Sequence, residues 1–124
     1  MSEHLLLVNP WIYDFAAYDL WMKPLGLLYL AGFLREAGYK VNLIDCLDRY
    51  HPALPEKLKD EKYGCGHFYW EEIPKPYLYK NIPRKYKRYG LPLEVFKAEL
   101  SSLKTQPEAI LITSIMTYWY LGVF

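Results

Sequence analysis

Cysteine is scarce in this chain: Cys46 and Cys65 are the only two among 124 residues. That excludes a disulfide-stapled scaffold. No basic start followed by an apolar stretch and a small-residue cleavage site opens the chain, so a reduced cytosolic setting is the default expectation. Charge of one sign is also lacking: 15 Lys and Arg stand against 14 Asp and Glu, and a net charge of +1 gives no sign of a strongly electrostatic partner. No apolar run approaches the ~18 residues that a membrane span needs. The longest, around Leu25 to Leu34, is interrupted by glycine and closes on Arg35-Glu36. Glycine is missing altogether between Asn9 and Leu25, where a dinucleotide fold would need it for close approach of the backbone to a pyrophosphate. No Gly-Lys-Ser/Thr phosphate loop occurs either.

What is present fits one α/β domain with Tyr as its most unusual component, 13 residues of it. A phenol joins an apolar body to a polar tip, which suits a half-buried rim or a domain interface. The run Leu5-Leu6-Leu7-Val8, ending in Asn9-Pro10, predicts a first strand over about 4–9, buried on both faces. "WIYDFAAYDLWMK" has no helical period and is expected to be a long loop. "PLGLLYLAGFLREAG" predicts a helix over about 24–37, with Pro24 at its start and Arg35 and Gly38 as stop signals. Leu27, Leu30, Ala31 and Leu34 line one face while Leu28 and Tyr29 widen the apolar arc, so this helix is expected to sit deep, and Leu30→Asp to unfold the domain.

"YKVNLID" alternates with period two and predicts a second strand over about 39–45, parallel to the first by the right-handed crossover rule. From about 47 to 92 the pattern dissolves into Tyr, Pro, Lys and Gly, which reads as an insertion. A helix over about 92–104 and a third strand over about 109–114 follow. The residues thus give an α/β chain whose first two strands lie parallel, carrying a long Tyr- and Pro-rich insertion. In parallel sheets ligands bind beyond the carboxyl ends of the strands. That makes the loops after Asn9, Asp45 and Ile112 the candidate site. Asp45 is placed to meet a sugar hydroxyl or merely to end a strand; Thr113, Ser114 and Thr117 to meet a ligand or to cap the next helix.

Three phrases, "LLLVNP", "KPLGLLYLAGFLREAGYKVNLID" and "ILITSIMTYWYLGV", together resemble the cobalamin-binding-type domain that precedes the catalytic barrel in many radical S-adenosylmethionine proteins. "YGCGHFYWEEIPKP" and "PRKYKRYGLP" in the insertion resemble a subgroup of that family. The resemblance implies a Rossmann-like or flavodoxin-like parallel sheet, incomplete here at three strands in the order 2-1-3, and a cobalamin lying over the strand ends against Pro10, Trp11, Pro24, Leu25, Gly26, Asp45, Thr113, Ser114, Met116 and Thr117. Two departures qualify it. The family's Asp-x-His-x-x-Gly motif is absent from the first loop, so a bound cobalamin would have no axial His from there. A Cys-x3-Cys-x2-Cys set for a four-iron four-sulfur cluster is absent too, so cluster, S-adenosylmethionine and catalysis would belong to a missing radical SAM domain, and this chain alone is expected to be inactive.

Other constellations compete for attention. Cys46, His51, Cys65 and His67 have the donor types of a zinc site at irregular spacing. "KNIPRKYKRYG" interleaves Lys80, Arg84, Lys85, Lys87 and Arg88 with Tyr86 and Tyr89, which reads as solvated charge, as a docking surface for the missing domain, or, least favoured, as a nucleic-acid contact. A degenerate flavodoxin-like interaction module without ligand is the rival to the cofactor-domain reading. The chain ends at Phe124 where a fourth strand would be approached, so a truncation and self-association through an unpaired strand edge are expected.

Overall fold

The computed structural model describes residues 3–124. Strand β1 (His4–Asn9) is buried along its whole length, as an uninterrupted apolar run at the centre of a sheet must be. It pairs in parallel with β3 (Lys40–Asp45) on one side and β6 (Ala109–Ile112) on the other, giving the order β3-β1-β6. Register follows from Leu7 opposite Leu43 and Leu111. The expected 2-1-3 parallel arrangement is present.

Helix α1 (Leu25–Glu36) makes the crossover between β1 and β3. Pro24 precedes it, and it stops where Gly38 turns into the left-handed region at φ +98. There Tyr39 N–H donates to Leu34 O and Gly38 N–H to Arg35 O, closing the last carbonyls in the way glycine-terminated helices do. Leu27 inserts against Leu5 and Leu7, with Ala31 and Leu34 packed beside them. Contrary to expectation the rest of the apolar arc is not buried. Tyr29 is 74% and Phe33 70% exposed, and Leu25, Leu28 and Leu30 are exposed with them. A single narrow sheet offers cover only to the stripe that faces it, so an arc wider than that stripe stays wet.

The opposite face of the sheet, Leu6, Val8 and Ile44, is covered by Phe96 and Leu103. Phe96 belongs to α2 (Leu93–Ser101), which ends three residues before the expected limit, while β6 ends two residues early. Leu93 and Leu100 of α2 remain exposed.

The first loop and the region between β3 and α2 together hold the largest departure from expectation. Residues read as loop and insertion form a second sheet: β2 (Ile12–Asp14), β4 (Trp70–Glu72) and β5 (Lys87–Tyr89), antiparallel in the order β2-β5-β4. β2 comes from the first loop and pairs with β5 of the insertion, Ile12 opposite Tyr89. Strands of three residues carry too little alternation to be read locally; pairing across a long sequence separation creates them. A separate core of Ile12, Leu47, Phe68, Tyr89 and Trp119 lies beneath this sheet, with Ala17, Met22 and Ile115 packed against it.

Arg49 fastens the insertion to the first loop. Its guanidinium is buried and donates to His67 O (3.2 Å), Gly64 O (3.2 Å) and Asp60 Oδ1 (2.8 Å), and it lies 3.7 Å from buried Asp19. The Asp19 carboxylate in turn receives Met22 N–H at 2.9 Å. A side chain with five fixed donors suits this role because several loop and turn carbonyls meet at one point.

Candidate functional site

The carboxyl ends of β1, β3 and β6 bring Asn9, Asp45 and Thr113 into one neighbourhood, the place where parallel sheets take ligands. Asn9 is 1% exposed and its amide donates to Asp45 Oδ1 at 2.9 Å, while Leu47 N–H donates to the same oxygen at 3.0 Å. Asn9 Oδ1 has no hydrogen-bond partner among the protein atoms. Burial raises the Asp45 carboxyl above its ordinary value, against the lowering effect of these two bonds. Burial likewise pushes the neighbouring Cys46 thiol far up, so it is an inert packing group rather than a nucleophile.

Of the residues named from sequence, Pro10 and Pro24 are buried, Trp11 and Asp45 are half-buried, and Leu25 and Gly26 are exposed at the start of α1. Thr113 is half-buried, whereas Ser114, Met116 and Thr117 are exposed. None of the small polar residues caps the turn that follows; Ser114 Oγ instead donates to Met116 O at 2.7 Å. Trp11 does not line an open site. Its ring meets Phe96 edge-on at 4.7 Å between centroids, and its Nε1 donates to Leu91 O at 2.7 Å.

Space over the strand ends is closed by the chain itself. The 3-10 turn Thr117–Gly122 lays Trp119 into the second core, where its Nε1 donates to Asp14 Oδ2 at 2.8 Å. The cavity left between Asn9, Pro10, Trp11, Leu47, Ser114 and Trp119 is about 10 Å³. That is room for roughly one water molecule, and a corrin does not fit. Sequence reading missed Leu47, Phe68 and Trp119 as determinants of this region. The only signal for them was the aromatic excess, which carries no address.

Elsewhere the residues are occupied with one another. The four suggested zinc ligands do not converge: His51 accepts Ala53 N–H at Nδ1, which leaves Nε2 to donate to Glu99 at 2.6 Å, while His67 lies near Glu61. Cys46 and Cys65 are separately buried, and among the described residues no group of His, Cys, Asp and Glu is arranged to hold a metal ion. A depression of about 340 Å³ beside β3 carries Asp45, Asp48, His51 and Glu99, and a larger cavity, about 750 Å³, is walled by the single segment 49–60. Part of the basic run is engaged internally: Arg88 is ion-paired with Glu71, Lys85 Nζ is 4.0 Å from Glu72, and Lys87 Nζ sits 4.2 Å above the Trp70 ring. Among the described residues no helix is long and apolar enough to cross a membrane. In comparisons with known proteins, no family model, curated protein or solved structure matches the chain.

Proposed function

We propose that this chain is a flavodoxin-like unit of the kind that stands ahead of the catalytic barrel in radical S-adenosylmethionine proteins, and that it serves by packing against such a barrel and shaping access to it. The observation that carries this reading is the unguarded edge of the parallel sheet. β6 presents Ala109-Ile110-Leu111-Ile112 with neither charge nor proline, and Ile110 is 55% exposed. Strands of parallel sheets are ordinarily covered on both faces, and natural edges are blunted by charge, proline or a bulge. An edge with none of these devices is adapted to a neighbour. The outer ridge of α1, with Leu25, Tyr29 and Phe33 at successive i+4 positions, adds a second apolar surface to the same unit.

In this reading the chemistry belongs to the barrel, where three thiolates would hold a four-iron cluster for reductive cleavage of S-adenosylmethionine. Coding sequence beyond Phe124 tests the idea. An in-frame Cys-x3-Cys-x2-Cys motif supports it; a stop codon overturns it in favour of a stand-alone interaction module. Hydrogen exchange on the longer protein provides a structural check: the amides of β6 are expected to be protected there, and free exchange would count against packing at this edge.

A second reading rests on the same strand. An uncharged four-residue edge can pair with its own copy, giving a sheet continued across a two-fold axis. Ile110→Lys is then expected to convert an associated species to a monomer in sedimentation experiments. A wild-type chain that is monomeric at all concentrations would remove this alternative.

A further inference from the structure

The position where a parallel α/β sheet takes a planar cofactor is, in this chain, the site of a second hydrophobic core. Three independent observations locate it. First, Trp119 from the turn after β6 joins Ile12, Leu47, Phe68 and Tyr89 in one buried cluster directly beyond the strand ends. Second, the two elements that roof the crevice approach the strand-end backbone at glycines. A Cβ placed on Gly122 would lie 1.9 Å from the Trp11 carbonyl oxygen, and one on Gly90 would lie 2.5 Å from the Cys46 carbonyl oxygen and 2.8 Å from Trp11 Cδ1. Gly90 also holds φ +125, a conformation that other residues rarely adopt. Third, the polar ends of the covering groups are satisfied internally. Trp119 Nε1 reaches Asp14, Trp11 Nε1 reaches Leu91 O, and Leu91 N–H donates to Cys46 O at 2.7 Å.

Loose coverage by a mobile flap would need none of this. Glycines at both contact points, each facing backbone rather than a flexible side chain, mark a permanent seat. We infer that the chain fills its own ligand crevice: Trp119 and the insertion stand in place of a cofactor as the hydrophobic filling at the strand ends, and the unit takes up no corrin there. Asn9 and Asp45, which the fold rule places as ligand contacts, instead floor this core and anchor the start of the insertion through Leu47 N–H. The inference holds whether or not a catalytic barrel follows, so it stands apart from the function proposed above.

The test uses the full chain. Wild-type protein is dialysed with hydroxocobalamin and then against buffer, and cobalt is quantified. No cobalt above that of a non-binding control protein is expected, and retention near one per chain overturns the inference. In parallel, Trp119→Ala is expected to lower the melting temperature by on the order of 10 °C. Added indole is expected to restore part of that loss by entering the vacated volume, as apolar ligands enter engineered core cavities. Wild-type melting should not respond to indole. A Trp119→Ala chain that melts like the wild type would show that the indole is not seated in a core. Should this variant fail to fold, Trp119→Leu gives the same reading, while the cobalt measurement needs no variant at all.

Discussion

Single residues decide how the insertion is held to the sheet. Arg49 is 2% exposed and neutralises Asp19, which is itself buried. Arg49→Met would leave that carboxylate only the half-exposed Lys23, 3.9 Å away, and would take their donor from His67 O and Gly64 O; loss of one member of a buried ion pair costs about 3–5 kcal/mol. Chemical denaturation is expected to show a loss of this size; a change below about 1 kcal/mol would mean that solvent reaches Asp19. Arg49→Lys should rescue little, since an ammonium cannot reproduce the fork that serves His67 O, Gly64 O and Asp60 together. Asp45 acts in the other direction. Its folded-state carboxyl is raised by burial, so the folded form prefers the proton. The stability this confers is fully present below the unfolded pKa of about 3.9 and is lost as pH rises through the higher folded value. Thermal melts from pH 4 to 7 are therefore expected to show Asp45→Asn gaining on the wild type as pH increases. Parallel curves would indicate that the hydrogen bonds from Asn9 and Leu47, with the charge of Lys23, offset the burial.

At the scale of elements, the helices and strands that a sequence can announce are those whose own pattern is long enough. β1 is a run of apolar residues, α1 carries both a proline start and a glycine stop, and β3 alternates; each lies within a residue or two of its expected bounds. β2, β4 and β5 have three residues each and exist because they pair. α1 also shows how an apolar arc misleads. Its breadth suggested deep burial, yet Leu30 is exposed. Leu30→Asp is therefore expected to leave the chain folded, with the large loss reserved for Leu27→Asp, and circular dichroism on the pair decides it. Gly32 lies in the same helix, and a Cβ there would meet nothing within 4 Å. Gly32→Ala should stabilise by about 0.5–1 kcal/mol through helix propensity alone. A loss instead would point to a partner already seated on that face in solution.

The whole molecule is two sheets at right functional odds: one parallel and open at β6, one antiparallel and closed over the strand ends. Its surface carries apolar side chains on the α1 ridge and along β6, while the crevice beyond its parallel strand ends is filled. In the function proposed above, a molecule of this form is covered at its edge rather than filled at its centre. Light scattering on Ile110→Lys beside the wild type reads the edge directly, because a charge pointing from one face of β6 disfavours any strand laid against it.

Sequence by itself determined the α/β class, the parallel setting of the first two strands and the bounds of β1, α1 and β3, because hydrophobic periodicity and helix stop signals act over neighbouring residues and a βαβ crossover has one hand. Only the tertiary structure decided that the first loop and the insertion would join as a sheet, and that Trp119 would meet Ile12 and Phe68. Those contacts join residues from both ends of the chain with its middle. No local pattern encodes which aromatic finds which, since burial is set by the shape of the space that remains once the parallel sheet has formed.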